Sequence, residues 1–418
     1  MNERRRVVIT GVGTYNPLGH DLETTWQKIM DGESGIGPIT QFDASEFKTQ
    51  FAGEVKGFDA DEMFGKREAR RMSRMTQFAL AATGQAIEDA RLQINEENRD
   101  RIGVVLGSGM GSMEPIIENA QILSERGPSR VSPFFVPMML PDTPAAAISI
   151  IHGMRGPNMS IATACATGNN VIGEATKLIQ RGAVEVMVAG GAEACINPLA
   201  IAGFSVMKAM SQRNEDPQRA LRPFDLNRDG FVTSEGSAVF VLETLEHALA
   251  RGAHIYGEVL GYGTSADAYH LAMPAENGEG AVNSMANALK DAGFDGHEID
   301  YINAHGTATQ LNDKGETTAI KAVFGERAYD IPVSSTKSLH GHLLGAAGAL
   351  EAAVCLKALA TNTLPPTMNY ETPDPDCDLD YVPNAPRSAE INTAMSNGFG
   401  LGGHNATIIL GKYNGVQG

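Results

Sequence analysis

The chain has 418 residues, enough for roughly two to three ordinary domains or one large duplicated unit. Its hydrophobic fraction of 42% supports a sizeable core, and 46 glycines favour tight turns and close backbone approaches. A net charge of −17 argues against nucleic acid or anionic lipid as a partner, and four cysteines with no CxxC pair speak against a disulfide scaffold or a cysteine zinc site.

The first expected element is a strand over residues 6–10, closed by Gly11 and Gly13. The basic residues before it lead into too short an apolar run for a secretory leader. Residues 72–91 read as a helix, and 102–106 as a strand ending in a glycine turn. The most membrane-like stretch, 136–154, contains Pro137, Pro141, Asp142, Pro144 and His152, which argues against a spanning helix. A strand at 159–162 enters a turn at Thr163–Cys165, and a helix runs from there to about residue 180. Further strands fall at 184–189 and 237–242. The second half repeats the rhythm: strand 258–261, helix 280–292, strands 299–304 and 331–334, a small-residue helix over 342–360, and a last strand at 406–410. This order suggests a duplicated α/β unit with parallel-rich sheets covered by helices, divided into halves 1–255 and 256–418. Residues 108–155 and 195–235 have no counterpart in the second half. They read as insertions over the site or at a subunit contact.

Cys165 lies in Ser160-Ile-Ala-Thr-Ala-Cys-Ala-Thr-Gly168, where a strand turns into a helix. A sulfur there sits near unpaired N–H groups and the positive end of a helix dipole. The plain alternative is a small buried apolar residue, and this is the reading for Cys355, inside an apolar helix. Cys195 and Cys377 also lack a polar cluster nearby in sequence. His305, in Asn-Ala-His-Gly-Thr-Ala-Thr, and His342, in Ser-Leu-His-Gly-His-Leu, both follow strands, at the edge where open α/β sheets gather ligands. His340 is two residues from His342, and spacing alone does not choose between them. Glu351, in a helix of Ala, Gly, Leu and Val, needs a partner if buried; Lys337 is the nearest cation in sequence. A purely structural ion pair is the alternative for these two. Gly398-Phe-Gly-Leu-Gly-Gly403 matches GxGxxG as a string, but a strand follows it, so a dinucleotide loop fails on context. A backbone N–H of that loop would serve an oxyanion hole instead. Residues 66–74 hold five bases and one acid at the expected start of a helix, with Arg126, Arg130 and Lys208 as candidates to join them. In so acidic a chain this reads as a docking patch for an acidic partner, against the alternative of a solvated helix face.

Taken together, VVITGVG, RGPNMSIATACATG, GGAEA, RPFDLNRDGFVTSEG, NAHGTATQLND, SSTKSLHGHLLGAAGALE and NGFGLGGHN resemble, in order and over essentially the whole chain, the β-ketoacyl-acyl carrier protein synthases. The likeness is nearest to the type II condensing enzymes of fatty-acid synthesis. It implies an α/β thiolase-like fold, with internally duplicated halves in a five-layered α-β-α-β-α arrangement, and a homodimer. It implies that Cys165 carries an acyl thioester and that His305 and His342 donate to an enolate. Lys337 would hold His342 and the local field, backed by Glu351. Phe399, Gly400 and Leu401 would form the oxyanion and gating loop, with the N–H groups of Cys165 and Leu401 as donors. Thr307 and Thr309 match positions that bind pantetheine, Met110 one that shapes the acyl pocket, and Asp313 an acid near the site with a structural role. Arg67, Arg70, Arg71, Arg130 and Lys208 match positions that dock the acyl carrier protein. No cofactor is required, because acyl groups arrive on the carrier's phosphopantetheine. A structural monovalent cation is compatible with the family, but its ligands are not readable here. Leu401 departs from the family's usual phenylalanine, which puts gating and chain-length preference in question. A thiolase would need a second catalytic cysteine, a type III synthase an asparagine in place of His342, and a chain-length factor would lack Cys165. A polyketide ketosynthase would share the triad. A non-catalytic carrier-binding partner is the alternative of another class.

Overall fold

The computed structural model describes residues 4–275 and 277–415. Its main sheet has ten strands: β1 (Val7–Tyr15), β2 (Ile102–Gly107), β3 (Asn158–Ile161), β4 (Val186–Glu193), β5 (Gly236–Thr244), β6 (Gly257–Ala266), β7 (Tyr301–Asn303), β8 (Val333–Ser334), β9 (Thr393–Gly400) and β10 (His404–Gly411). Their spatial order is β3-β2-β4-β5-β1, then β6-β10-β9-β7-β8. Outward from the centre, both halves therefore run first, fifth, fourth, second and third strand. In each half the two inner pairs are antiparallel and the two outer pairs parallel. The halves join where Val8 faces Glu258 and Ile9 faces Gly257. The sheets are thus evenly mixed, not parallel-rich as expected. The strand missing from the sequence reading is β9; its sequence, TAMSNGFG, is too small and glycine-rich to show a strand pattern.

The principal helices are α1 (Arg74–Asp89), α2 (Met113–Arg126), α3 (Thr143–His152), α4 (Thr167–Gln180), α5 (Pro198–Val206), α6 (Glu279–Ala292), α7 (Gln310–Phe324) and α8 (Ala347–Thr361). Helix α1 covers the outer face of β1, β4 and β5, and α6, backed by α7, covers β6 and β10. Between the half-sheets lie α4 and α8, which pack on each other and on strands of both halves. The result is the expected order of five layers. The segment Leu344–Thr361 is long and apolar enough to cross a membrane, but it is mostly buried as this central layer. The stretch 136–154 is instead broken between a short helix and α3.

The glycines explain how the layers close up. Gly11 and Gly13 do not end β1; they lie within it, on the face pressed by α1. A Cβ on Gly11 would sit 2.2 Å from the Ala86 carbonyl oxygen, and one on Gly13 would sit 2.0 Å from that of Ala82. Gly261 and Gly263 stand in the same relation to Ala288 and Ser284 of α6, at 2.4 and 2.2 Å. In the central layer α4 and α8 cross almost backbone to backbone. A Cβ on Gly168 would lie 2.4 Å from Ala349 N, and one on Gly348 would lie 2.2 Å from Asn169 Oδ1.

Candidate active site

Cys165 lies on a one-turn 3-10 segment, Ala164–Ala166, that leads into α4. Ala164 is held at φ +49°, a left-handed conformation that costs a residue with a Cβ some strain. The turn is pinned by side chains. Thr167 Oγ1 accepts from Thr163 N at 2.8 Å, Asn170 Nδ2 donates to Thr163 Oγ1 at 2.6 Å, and Tyr262 donates to Asn170 Oδ1 at 2.7 Å. The sulfur is buried, and burial pushes its thiol up to about 12, against the pull of the Lys337 charge and the Leu401 N–H. Burial therefore outweighs the lowering expected from the helix start alone.

His342 does not open a helix, as the sequence suggested. It lies in the bend between a short helix, Lys337–His340, and a second 3-10 segment, Leu344–Ala346. Its backbone is clamped by the 222–236 segment: His342 N donates to Val232 O at 2.8 Å, and Ser234 N donates to His342 O at 2.9 Å. Phe231 meets the imidazole edge-on at 5.5 Å. His342 Nε2 lies 3.1 Å from Cys165 Sγ. The His305 ring faces His342 at 5.4 Å and Phe399 at 5.7 Å. One ligand atom from each of Cys165, His305 and His342 lies within 4.8 Å of the others. Both imidazoles fall well below the ordinary histidine range, first through burial and then through the Lys337 charge, so they are neutral at physiological pH. Each has a buried Nδ1 with no hydrogen-bond partner, so neither ring is oriented through that nitrogen. His340 is the plain alternative: Gly341 O and Thr336 Oγ1 occupy both its ring nitrogens at 2.7 and 3.0 Å.

Lys337 and Glu351 form a fully buried ion pair. The ammonium gives its hydrogen bond to Glu351 and reaches the histidines through its charge rather than through a bond to His342. Asp313 is a fastener. It accepts from Phe224 N at 2.7 Å and Ala308 N at 3.2 Å, holding two residues at positive φ. It thereby joins the 222–236 segment to the turn of Thr307 and Thr309, whose hydroxyls pair at 3.1 Å. Phe399 and Gly400 end β9, and Leu401 is 40% exposed in the turn to β10, so the glycine run is a hairpin. A Cβ on Gly400 would lie 3.0 Å from Cys165 N, so this hairpin rests on the Cys165 turn. Met110 packs on the apolar cluster that contains Cys165. Arg67, Arg70, Arg130 and Lys208 are exposed. Only the last base of the run, Arg74, opens α1, where it pairs with the buried Glu235. The other four lie on a short helix, Lys66–Ala69, and in the turn before the Ser73 cap, where Arg71 stacks on Phe134 at 5.0 Å.

Two buried carboxylates had no role in the sequence reading. Glu316 accepts from the N–H groups of His305 and Gly306, both at 2.8 Å, and so sets the His305 turn. Glu193 accepts from Ser108 Oγ and from Gly109, Met110 and Gly345 N–H groups. Burial raises each to about 7. Glu193 stands inside the GGAEA motif, and a carboxylate ending a buried strand was a signal to look for its donors.

Residues 4–248 match the beta-ketoacyl synthase N-terminal domain, and residues 256–371 match its C-terminal domain. The chain belongs to the beta-ketoacyl synthase family. It is 51% identical over 411 residues to a 3-oxoacyl-[acyl-carrier-protein] synthase 2 of Synechocystis sp., covering 98% of this chain and 99% of that one. It is 49% identical over 413 residues to a Staphylococcus aureus protein of the same name, covering 99% and 100%. Among solved structures it resembles the complex of a type II PKS acyl-carrier protein with its ketosynthase bound to the hexaketide, with TM-score 0.92, 34% identity, and 99% and 100% coverage. A beta-ketoacyl synthase from Burkholderia phymatum matches with TM-score 0.91, 36% identity, and 98% and 100% coverage. The fold is thiolase-like, and the family makes this chain an acyl-transferring condensing enzyme.

Proposed function

We propose that this enzyme condenses an acyl chain held on Cys165 with malonyl-acyl carrier protein, releasing carbon dioxide and β-ketoacyl carrier protein, in fatty-acid elongation. The observation that carries this reading is the cluster of Cys165 Sγ with two neutral imidazoles. In the first half-reaction the sulfur attacks the carrier thioester, and its proton leaves with the pantetheine sulfur. In the second, the malonyl C–CO2 bond breaks and its electron pair becomes an enolate. Because decarboxylation itself supplies that pair, no base has to remove a carbon-bound proton; the Nε2–H groups of His305 and His342 donate to the enolate oxygen. The carbanion then attacks the Cys165 thioester. The N–H groups of Cys165 and Leu401 hold the oxyanion until it collapses and expels the cysteine sulfur. Burial first, and then the Lys337 charge, keeps both imidazoles neutral, which suits hydrogen-bond donors better than proton-transferring acids.

The curated relatives at 49–51% identity are named 3-oxoacyl-[acyl-carrier-protein] synthase 2, while the ketosynthase solved with a type II PKS acyl-carrier protein stands at 34%, and this favours elongation. Thr307 and Thr309 would take the pantetheine arm, and the exposed arginines the acidic carrier. No organic cofactor enters these steps. Three buried oxygens without partners, Asn303 Oδ1, Ser396 Oγ and Glu351 Oε2, fit a monovalent cation, with Asn303 and Ser396 paired across β7 and β9. A homodimer is supported by the free edge of β3, where Met159 is exposed, and by Ile150 and Ile151 on the adjoining α3. A reducing cytoplasm suits a chain that depends on a free thiol. Incubation with acyl carrier protein thioester is expected to add one acyl mass to the peptide holding Cys165, read by mass spectrometry. Label elsewhere, or none across a range of chain lengths, defeats the reading.

A further inference from the structure

Glu193 is completely buried at the end of β4, and its carboxylate is shared by two loops. Oε1 accepts from Ser108 Oγ at 2.8 Å and Met110 N at 3.3 Å; Oε2 accepts from Gly109 N at 2.8 Å and Gly345 N at 2.9 Å. These contacts use the roughly four lone-pair sites that a carboxylate offers. One loop is Gly107-Ser-Gly-Met-Gly111, which carries Met110. With three glycines in five residues it has little stiffness of its own. The other follows His342, three residues before Gly345. The space between them is nearly closed: a Cβ on Gly109 would lie 3.1 Å from Gly345 N and 3.2 Å from Ala164 O, and one on Gly345 would lie 2.1 Å from Gly109 N. The glycine-rich loop carrying Met110 is therefore tied to the segment carrying His342 through the Glu193 side chain.

We propose that Glu193 is a positioning residue for acyl selection: it clamps the loop carrying Met110 against the segment carrying His342 and so fixes the shape of the acyl channel. This rests on the condensing activity argued above. The clamp works only with an acceptor at each oxygen. Glu193→Gln keeps the volume but turns one acceptor into a donor that faces N–H groups. Glu193→Ala leaves three N–H groups and a hydroxyl around a hole that formate fits in size and charge.

The test compares acyl loading of Cys165 from carrier thioesters of graded chain length in the wild type, Glu193→Gln, Glu193→Asp and Glu193→Ala, with thermal unfolding followed in parallel. In Glu193→Gln the ratio of kcat/KM between the best and the poorest chain falls about 10-fold. Glu193→Asp recovers part of that ratio, and sodium formate restores it in Glu193→Ala. Loss of activity by the same factor at every chain length, or no response of folded Glu193→Ala to formate, overturns the clamp. If Glu193→Ala does not fold, the chain-length ratio of Glu193→Gln decides. Failure of the wild type to load Cys165 at all would instead defeat the condensing reading, so the two failures are told apart on different proteins.

Discussion

The two halves each build the same turn and use it differently. In the first, Ala164 at φ +49° leads a 3-10 segment into α4; in the second, Leu344 at φ +46° leads one into α8. Cys165 and Gly345 hold the same place in these turns, Gly168 and Gly348 meet at the same crossing, and Val171 answers to Glu351. At the first turn the Gly400–Leu401 hairpin lies against Cys165 N, and the Leu401 N–H acts on the sulfur. At the second, the corresponding N–H of Gly345 is permanently taken by Glu193. Backbone geometry alone therefore does not make a nucleophile turn. It needs a sulfur and N–H groups that are not already committed to a buried carboxylate. The second turn has neither and works as scaffold, placing His342 opposite the sulfur.

The largest effect should come from making the first turn chemically like the second. Cys165→Ala is expected to lose condensation by about 1,000-fold or more, since the covalent intermediate cannot form. Decarboxylation of malonyl carrier should survive, because both imidazoles and Lys337 remain. Carbon dioxide release without condensed product checks the separation. Loss of both activities in the folded variant would mean that the two half-reactions do not divide between the halves as argued.

The second comparison concerns the buried charge that exists on one side only. Lys337→Ala strands the Glu351 carboxylate and is expected to cost about 3–5 kcal/mol, read by chemical unfolding. The double variant Lys337→Met/Glu351→Leu should recover most of that, because it removes both charges and keeps the volume. It should also raise the pKa values of His305 and His342, since the charge that now opposes their protonation is gone; histidine NMR titration reads this directly. Unchanged titration would leave Lys337 a structural group alone.

A third measurement addresses the sulfur. Because burial holds the thiol above the ordinary cysteine value, its thiolate fraction is small at neutral pH and grows as pH rises. Alkylation of Cys165 by iodoacetamide should therefore accelerate about tenfold per pH unit between roughly pH 7 and 9. A rate already flat at pH 7 would show that Lys337, the Leu401 N–H and the α4 terminus together outweigh burial.

How much of this was legible beforehand follows the same division. The turn at Cys165, the strand-end histidines and the Lys337–Glu351 pair all stand in local motifs whose residue types announce them. The duplication showed in the order of elements, although β9 hid behind small residues and the parallel-rich sheets did not hold. What stayed invisible was long-range satisfaction of buried groups. Nothing near Glu193 in sequence indicates that Gly345 lies across from it, 152 positions on. Likewise, spacing did not separate His340 from His342; the family resemblance pointed to His342, and the observed bonds, which occupy both nitrogens of His340, agree with it. Glycine meaning was also non-local: Gly11 and Gly13 looked like a strand end because the helix pressing on them is more than 60 residues away in the chain.

The smallest effects test the turns themselves. Ala164 and Leu344 pay a similar conformational penalty, so glycine at either position relieves similar strain. The consequences diverge because the side chains differ. Ala164→Gly removes one methyl group and should stabilise the protein by about 0.5–1 kcal/mol, offset in part by the greater freedom of the unfolded chain. Leu344 is buried in the apolar cluster beside Cys165, and Leu344→Gly should cost about 2–5 kcal/mol through the cavity it leaves, well beyond any strain relieved. Differential unfolding of the two variants gives opposite signs if the turns are equivalent in backbone and different in packing. If Ala164→Gly instead destabilises by as much as Leu344→Gly, the φ at residue 164 carries no strain, and the nucleophile turn is relaxed where its counterpart is held.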